Sequence, residues 1–172
     1  MFSLHGTRKL LDRAKAEVMA PVLKPTTALG NWYGTVLFWR PQAVLLANEK
    51  TLFPVLLPLA PAVTLMARIP DAVRRTLSAH NAATEFIESE VSAMVDGRWA
   101  KTANRSVLGV MNEFSHLGGQ IRRHYGPTDF VALALALSEV PCGTLFERHV
   151  SPDRELDATV AAWITAKAGE RK

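Results

Sequence analysis

Cysteine is nearly absent: Cys142 stands alone among 172 residues. One thiol excludes an internal disulfide and is too few for a zinc cluster of Cys and His ligands. Long apolar runs are missing as well. Leu52–Val63, the longest, is broken by Pro54, Pro58 and Pro61 and falls short of the roughly 20 residues that cross a bilayer. Met1–Gly6 lacks the basic and apolar regions of a secretory signal. Charge of one sign is also scarce, with 20 Lys and Arg against 16 Asp and Glu, or +4 at pH 7. So mild an excess permits an acidic partner without demanding one. These absences point to a cytoplasmic protein with no membrane partner.

What is present is a globular composition. A hydrophobic share of 48% and a charged share of 21% exclude intrinsic disorder, which needs the opposite balance. A single domain over residues 1–172 is expected, with 169–172 as a frayed charged tail. Asn31–Arg40 concentrates aromatic and β-branched residues, as strands favour. It is apolar on both alternating faces and so should be covered on both sides. Pro41-Gln42 and Asn48–Thr51 turn the chain back twice, so Trp32–Trp39, Ala43–Ala47 and Leu52–Leu57 read as an antiparallel meander. Pro54 cannot donate to a ladder, which places the third strand at an edge or at a bulge. Met1–His5 and Arg98–Thr102 read as short further strands.

The helices follow from period and caps. Thr7 is positioned to cap a short helix over Arg8–Lys15. Pro70 is expected to interrupt helical structure between Val63 and Leu77. Thr84–Val95 reads as a helix whose Glu85, Glu88 and Glu90 form a solvated face. Asn104–His124 carries Val107, Val110, Met111, Phe114, Leu117 and Ile121 in one stripe, with Asn104 or Ser106 as its cap. Thr128 is read as the cap of a very apolar helix, Asp129–Val140, and Pro152 opens the last one. The expected fold class is α+β: a small antiparallel sheet of about three to five strands packed against about five helices.

Candidate binding groups gather at element ends and on one helix face. At about 100° per residue, Arg105, Asn112, His116 and Arg123 lie opposite the apolar stripe of their helix. Arginine, amide and imidazole groups on one face can contact phosphates; an ordinary solvated face is the plainer reading. His5-Gly6-Thr7-Arg8-Lys9 sets two cations in the first turn of a helix, against its dipole. That placement invites an anion, although pairing with Asp12 also explains it. Rigid scaffolds commonly hold binding groups on loops and element ends. His5, Arg8, Lys9, Asn48, Thr102, Asn104 and Arg105 are therefore expected to include members of one surface cleft. Trp32, Tyr33 and Trp39 can stack bases, with core packing the plainer role. Cys142 can be a nucleophile only if a histidine approaches it; a small buried residue is the plainer reading. None of the 5 histidines sits in H-E-x-x-H, and no C-x-x-C, phosphate-binding loop or G-x-S-x-G elbow occurs. No metal and no cofactor is expected.

Several stretches together carry a resemblance: His5–Asp12, Leu29–Tyr33, Asn48–Leu52, Lys101–Phe114 and His149–Arg154. The chain resembles, over nearly its whole length, a family of small bacterial proteins classed as a domain of unknown function. That resemblance implies a stand-alone bacterial domain and supplies no reaction, cofactor or catalytic residue to carry over. The leading expectation is a non-enzymatic binding or regulatory domain whose partner is a protein or a nucleic acid. The alternative is an enzyme acting on a phosphate-bearing or nucleotide substrate, with His5 or His116 as acid–base and Arg8, Lys9 or Arg105 as anion clamps. The Ala- and Leu-rich helix at 129–140 fits burial within the domain or packing against a second copy, so a homo-oligomer stays open.

Overall fold

The computed structural model describes residues 1–170; Arg171 and Lys172, the end of the expected tail, lie outside the described residues. Trp32–Leu37 (β2), Ala43–Asn48 (β3) and Pro54–Pro58 (β4) pair as the antiparallel meander, with Leu45 between Thr35 and Leu56. Pro54 lies in β4, an edge strand, where its missing donor is tolerated.

The sheet is mixed, which corrects the purely antiparallel expectation. Phe2–Gly6 (β1) inserts between β2 and Gly97–Lys101 (β5) and runs parallel to both, with Leu4 flanked by Trp32 and Trp99. The strand order is β4-β3-β2-β1-β5. Parallel neighbours need crossovers of about a dozen residues or more, so no local turn signal announces them. The outer edge of β5 is partly covered: Val18 bridges Trp99, and the Met19 amide donates to the Trp99 carbonyl at 2.8 Å. Covering an edge in this way blunts strand addition.

Helices cover both faces, so β2, β3 and β4 are buried along almost their entire length. On one face Leu4, Trp32, Val36, Val44, Leu46 and Val55 pack under Leu10 of α1 (Arg8–Ala14), Ile69 and Val73 of α2 (Leu65–Ala79), and Phe86 of α3 (Thr84–Ala93). Leu156 and Val160 of α6 (Pro152–Glu170) join the same core. On the other face Tyr33, Leu37, Leu45 and Leu56 meet Val107, Met111 and Phe114 of α4 (Arg105–Tyr125) and Leu133 and Leu137 of α5 (Phe130–Ser138). The Ala- and Leu-rich helix is thus largely absorbed by the domain's own core.

Several local expectations change. Pro70 sits inside α2 and does not break it. Arg68, one turn in, donates to the carbonyls of Pro58, Leu59 and Pro61 and ties the preceding loop to the helix. The Thr7 hydroxyl faces that of Thr35 at 3.1 Å and makes no cap bond. Asp129, not Thr128, caps α5 by accepting from the Ala132 amide at 2.9 Å. The last helix continues through Gly169 and Glu170, where a frayed tail was expected. Glu90 is not on a solvated face: it is buried and accepts from the amides of Ala28 and Leu29 at 2.6 and 3.2 Å.

Asn104 caps α4 as expected, its side-chain oxygen accepting from the Ser106 and Val107 amides at 3.0 and 3.3 Å. Asn104→Ala should therefore lower stability by about 1 kcal/mol, the usual cost of an N-cap. Urea unfolding monitored by circular dichroism reads this directly, and an unchanged midpoint would contradict it.

Candidate functional site

Polar groups collect where β1 and β5 end. Gly6, Arg8, Asp12, Lys15, Lys101 and Thr102 line a cleft of about 770 Å³ floored by Leu11, Ala16 and Val18. That size suits a small ligand. Arg8 approaches Asp12 at 3.9 Å on the exposed surface of α1. His5 does not open into solvent: it is buried, its Nδ1 lies 2.7 Å from the Lys101 carbonyl, and its ring stacks on Tyr33 at 4.6 Å. The Tyr33 hydroxyl in turn accepts from the Asn104 amide at 3.2 Å. Burial, with the Glu49 charge added, pushes that hydroxyl above its usual range.

Beyond Asn104 a smaller groove of about 300 Å³ is rimmed by Glu49, Lys50, Ser106, Thr144 and Arg148. Arg148 leaves it to pair with the buried carboxylate of Glu155, which also meets His149 Nδ1 at 2.6 Å. Asn48 lies behind and is committed to the backbone. Its amide donates to the Leu29 and Asn31 carbonyls, and its oxygen accepts from the Lys50 and Thr51 amides.

The β2–β3 hairpin tip is chemically different. Phe38 turns to the α1 side and is 52% exposed, with Lys9 Nζ at 5.3 Å and the Arg13 guanidinium at 5.7 Å from its ring centroid. Trp39 turns to the α4 side, where Arg122 sits 4.7 Å from its ring centroid. A side chain at Gly118 would come within 3.3 Å of that indole, so the glycine lets the ring seat against the helix. Arg123 approaches the same spot, Arg40 follows in the turn, and Arg13 donates to Gln42 at 3.1 Å. Among the described residues none of Lys9, Arg13, Arg40, Arg122 and Arg123 pairs with a carboxylate. Tyr125, 76% exposed, ends the same helix.

The expected site residues thus fall in four places. Arg8 and Thr102 share the β1–β5 cleft, and His5 bonds the strand end that borders it. Asn104 belongs to the smaller groove, and Asn48 holds the turn next to it. Lys9 and Arg123 belong to the hairpin tip. Arg105 and His116 lie exposed on the outer face of α4, His116 beside Gln120 at 2.9 Å. Trp32 and Tyr33 are core residues, and Trp39 is half-buried. Sequence reasoning missed Phe38, Arg13, Arg40 and Arg122. Their only signal is the run Phe38-Trp39-Arg40 passing a strand's end, and the basic last turn of α4.

Cys142 is buried, and burial, helped by the Glu113 charge, pushes its thiol up to about 11. It stays protonated near neutral pH, and His149 is occupied with Glu155. Among the described residues no cluster of three or more His, Cys, Asp or Glu is arranged to hold a metal ion. None of the described helices is long and apolar enough to cross a membrane.

No curated protein and no solved structure matches this chain. A family model does, over residues 3–155. With nearly the whole sheet and five of its flanking helices inside that match, the chain belongs to the family described as domain of unknown function DUF6933.

Proposed function

We propose that this protein is a non-enzymatic nucleic-acid-binding domain whose contact surface is the β2–β3 hairpin tip with the adjoining flanks of α1 and α4. One observation carries the reading: Lys9 and Arg13 lie over Phe38 and Arg122 over Trp39, Arg123 reaches the same helix flank, Arg40 adjoins Trp39 in the turn, and among the described residues none of the five pairs with a carboxylate. Crowding like charges on a surface of a protein with only mild net charge is unfavourable unless an anionic partner neutralises them. Lysine and arginine side chains serve that role by displacing condensed counterions from backbone phosphates.

The test is affinity against salt. If each of the five cations neutralises one phosphate, the log–log slope for a single strand should be about −3.5. Oligothymidylate of about 20 nucleotides, titrated between roughly 50 and 300 mM salt, measures it. Arg122→Glu with Arg123→Glu should flatten the slope by at least 1.4, about 0.7 for each lost phosphate contact. A slope near zero, or no binding at low salt, would sink the reading.

A second reading rests on the β1–β5 cleft, where Arg8, Lys15 and Lys101 surround a small apolar floor. Those groups suit a phosphate-bearing small molecule, the substrate class of an enzyme alternative. An acid–base role for His5 there is disfavoured by its bond to Lys101 and its stacking on Tyr33. Calorimetric titration with adenosine monophosphate distinguishes the two surfaces, because Lys101→Ala should abolish cleft binding and leave oligonucleotide binding intact.

A further inference from the structure

We infer that the hairpin tip selects single-stranded over double-stranded nucleic acid, with Phe38 as the platform on which an unpaired base stacks. The inference rests on the nucleic-acid reading above and narrows it to one ligand class. An exposed phenyl ring is normally mobile and apolar; this one is held. Lys9 and Arg13, one helical turn apart on α1, both approach the ring, and Arg13 is itself anchored to Gln42 across the turn. On the opposite side of the strand the neighbouring Trp39 is seated against Gly118 and beneath Arg122, so the backbone at 38–39 is fixed from both flanks. The side chain is therefore preorganised, and Phe38 as a residue is 52% exposed.

Such a surface discriminates by what the ligand can offer. A base in a duplex has both faces covered by its neighbours and presents only its edge and the phosphates. A base in a single strand has a free face, and stacking it on an aromatic side chain is sequence-tolerant because every base has one. Lys9 and Arg13 lie over the ring from the α1 side, within reach of the phosphates of a strand whose base stacks on the ring's other face. Nothing in this geometry requires a particular base, so oligothymidylate suffices as probe.

Phe38→Ala and Phe38→Trp, compared with the unaltered protein, test this on oligothymidylate and on a duplex of equal length, across the same salt series. The expected result is that Phe38→Ala weakens single-strand binding about tenfold while duplex affinity and both salt slopes stay unchanged. Phe38→Trp should retain or tighten single-strand binding. Phe38 is exposed, so matching thermal unfolding of the three proteins is expected and confirms that folding is not the variable. If Phe38→Ala weakens both ligands equally, or lowers the salt slope by a full contact, base stacking is overturned and polyanion binding survives. If none of the proteins binds either ligand at low salt, the nucleic-acid reading itself fails.

Discussion

Glu90→Gln is expected to stabilise the protein by about 3 kcal/mol at pH 8 and to leave it nearly unchanged near pH 4.5. Glu90 is buried against the segment leading into β2, where one carboxylate oxygen accepts from the Ala28 and Leu29 amides. Burial outweighs those two bonds, and the nearby Lys50 and amino-terminal charges, and raises its pKa from 4.5 to about 7. The sign follows from proton counting. Between the two values the folded protein holds a proton that the unfolded chain has lost, so stability falls as pH rises through that window. The fall is at most about 1.4 kcal/mol per pH unit. Above pH 7 both states are ionised and the full penalty persists; below 4.5 both are protonated and it vanishes. Glutamine keeps an acceptor for the two amides and never ionises. Urea midpoints for both proteins from pH 4 to 8 give a difference curve in which other carboxylates cancel. A flat difference would mean that Glu90 is solvated in the folded state.

The second large effect is an asymmetry around Glu155. Its carboxylate is only 4% exposed, whereas its partners Arg148 and His149 are about half exposed at 51% and 49%. Removing both partners strands a buried charge, which costs about 3–5 kcal/mol. Removing the charge frees two side chains that can turn into water, so Glu155→Gln should cost only about 1 kcal/mol. Adding Glu155→Gln to the Arg148→Ala, His149→Ala double variant should then restore stability, a gain unusual for a third substitution in one cluster. Chemical denaturation of the four proteins closes the cycle; a triple variant less stable than the double one contradicts the account. The loop concerned is already constrained. Val150 has φ 73°, a left-handed conformation that β-branched residues rarely adopt, and its carbonyl accepts from the Cys142 amide at 2.9 Å. Loosening the ion cluster removes part of what holds that conformation.

Much of this fold is written locally. The period of Val107, Met111 and Phe114 defines α4, the doubly apolar run Trp32–Leu37 announces a strand covered on both faces, and Pro54 marks the sheet's edge. These signals survive because period, turn chemistry and a missing donor act within a few residues. The cap at Asn104 is likewise legible, and Arg8, Lys9 and Arg123 stand out in sequence as cations of the candidate surfaces. Tertiary structure alone decided the rest. The insertion of β1 between β2 and β5 depends on which distant strand completes the sheet, and no local pattern encodes a parallel partner across a long crossover. That Phe38 stays open while Trp39 seats on Gly118 depends on the helix that each face of the strand meets. Nothing local marks Gly118 as the position that leaves room for an indole. Glu90 reads as a solvated helix charge and nothing local marks Glu155 as buried, because a carboxylate's burial is set by which amides and cations the rest of the chain brings to it.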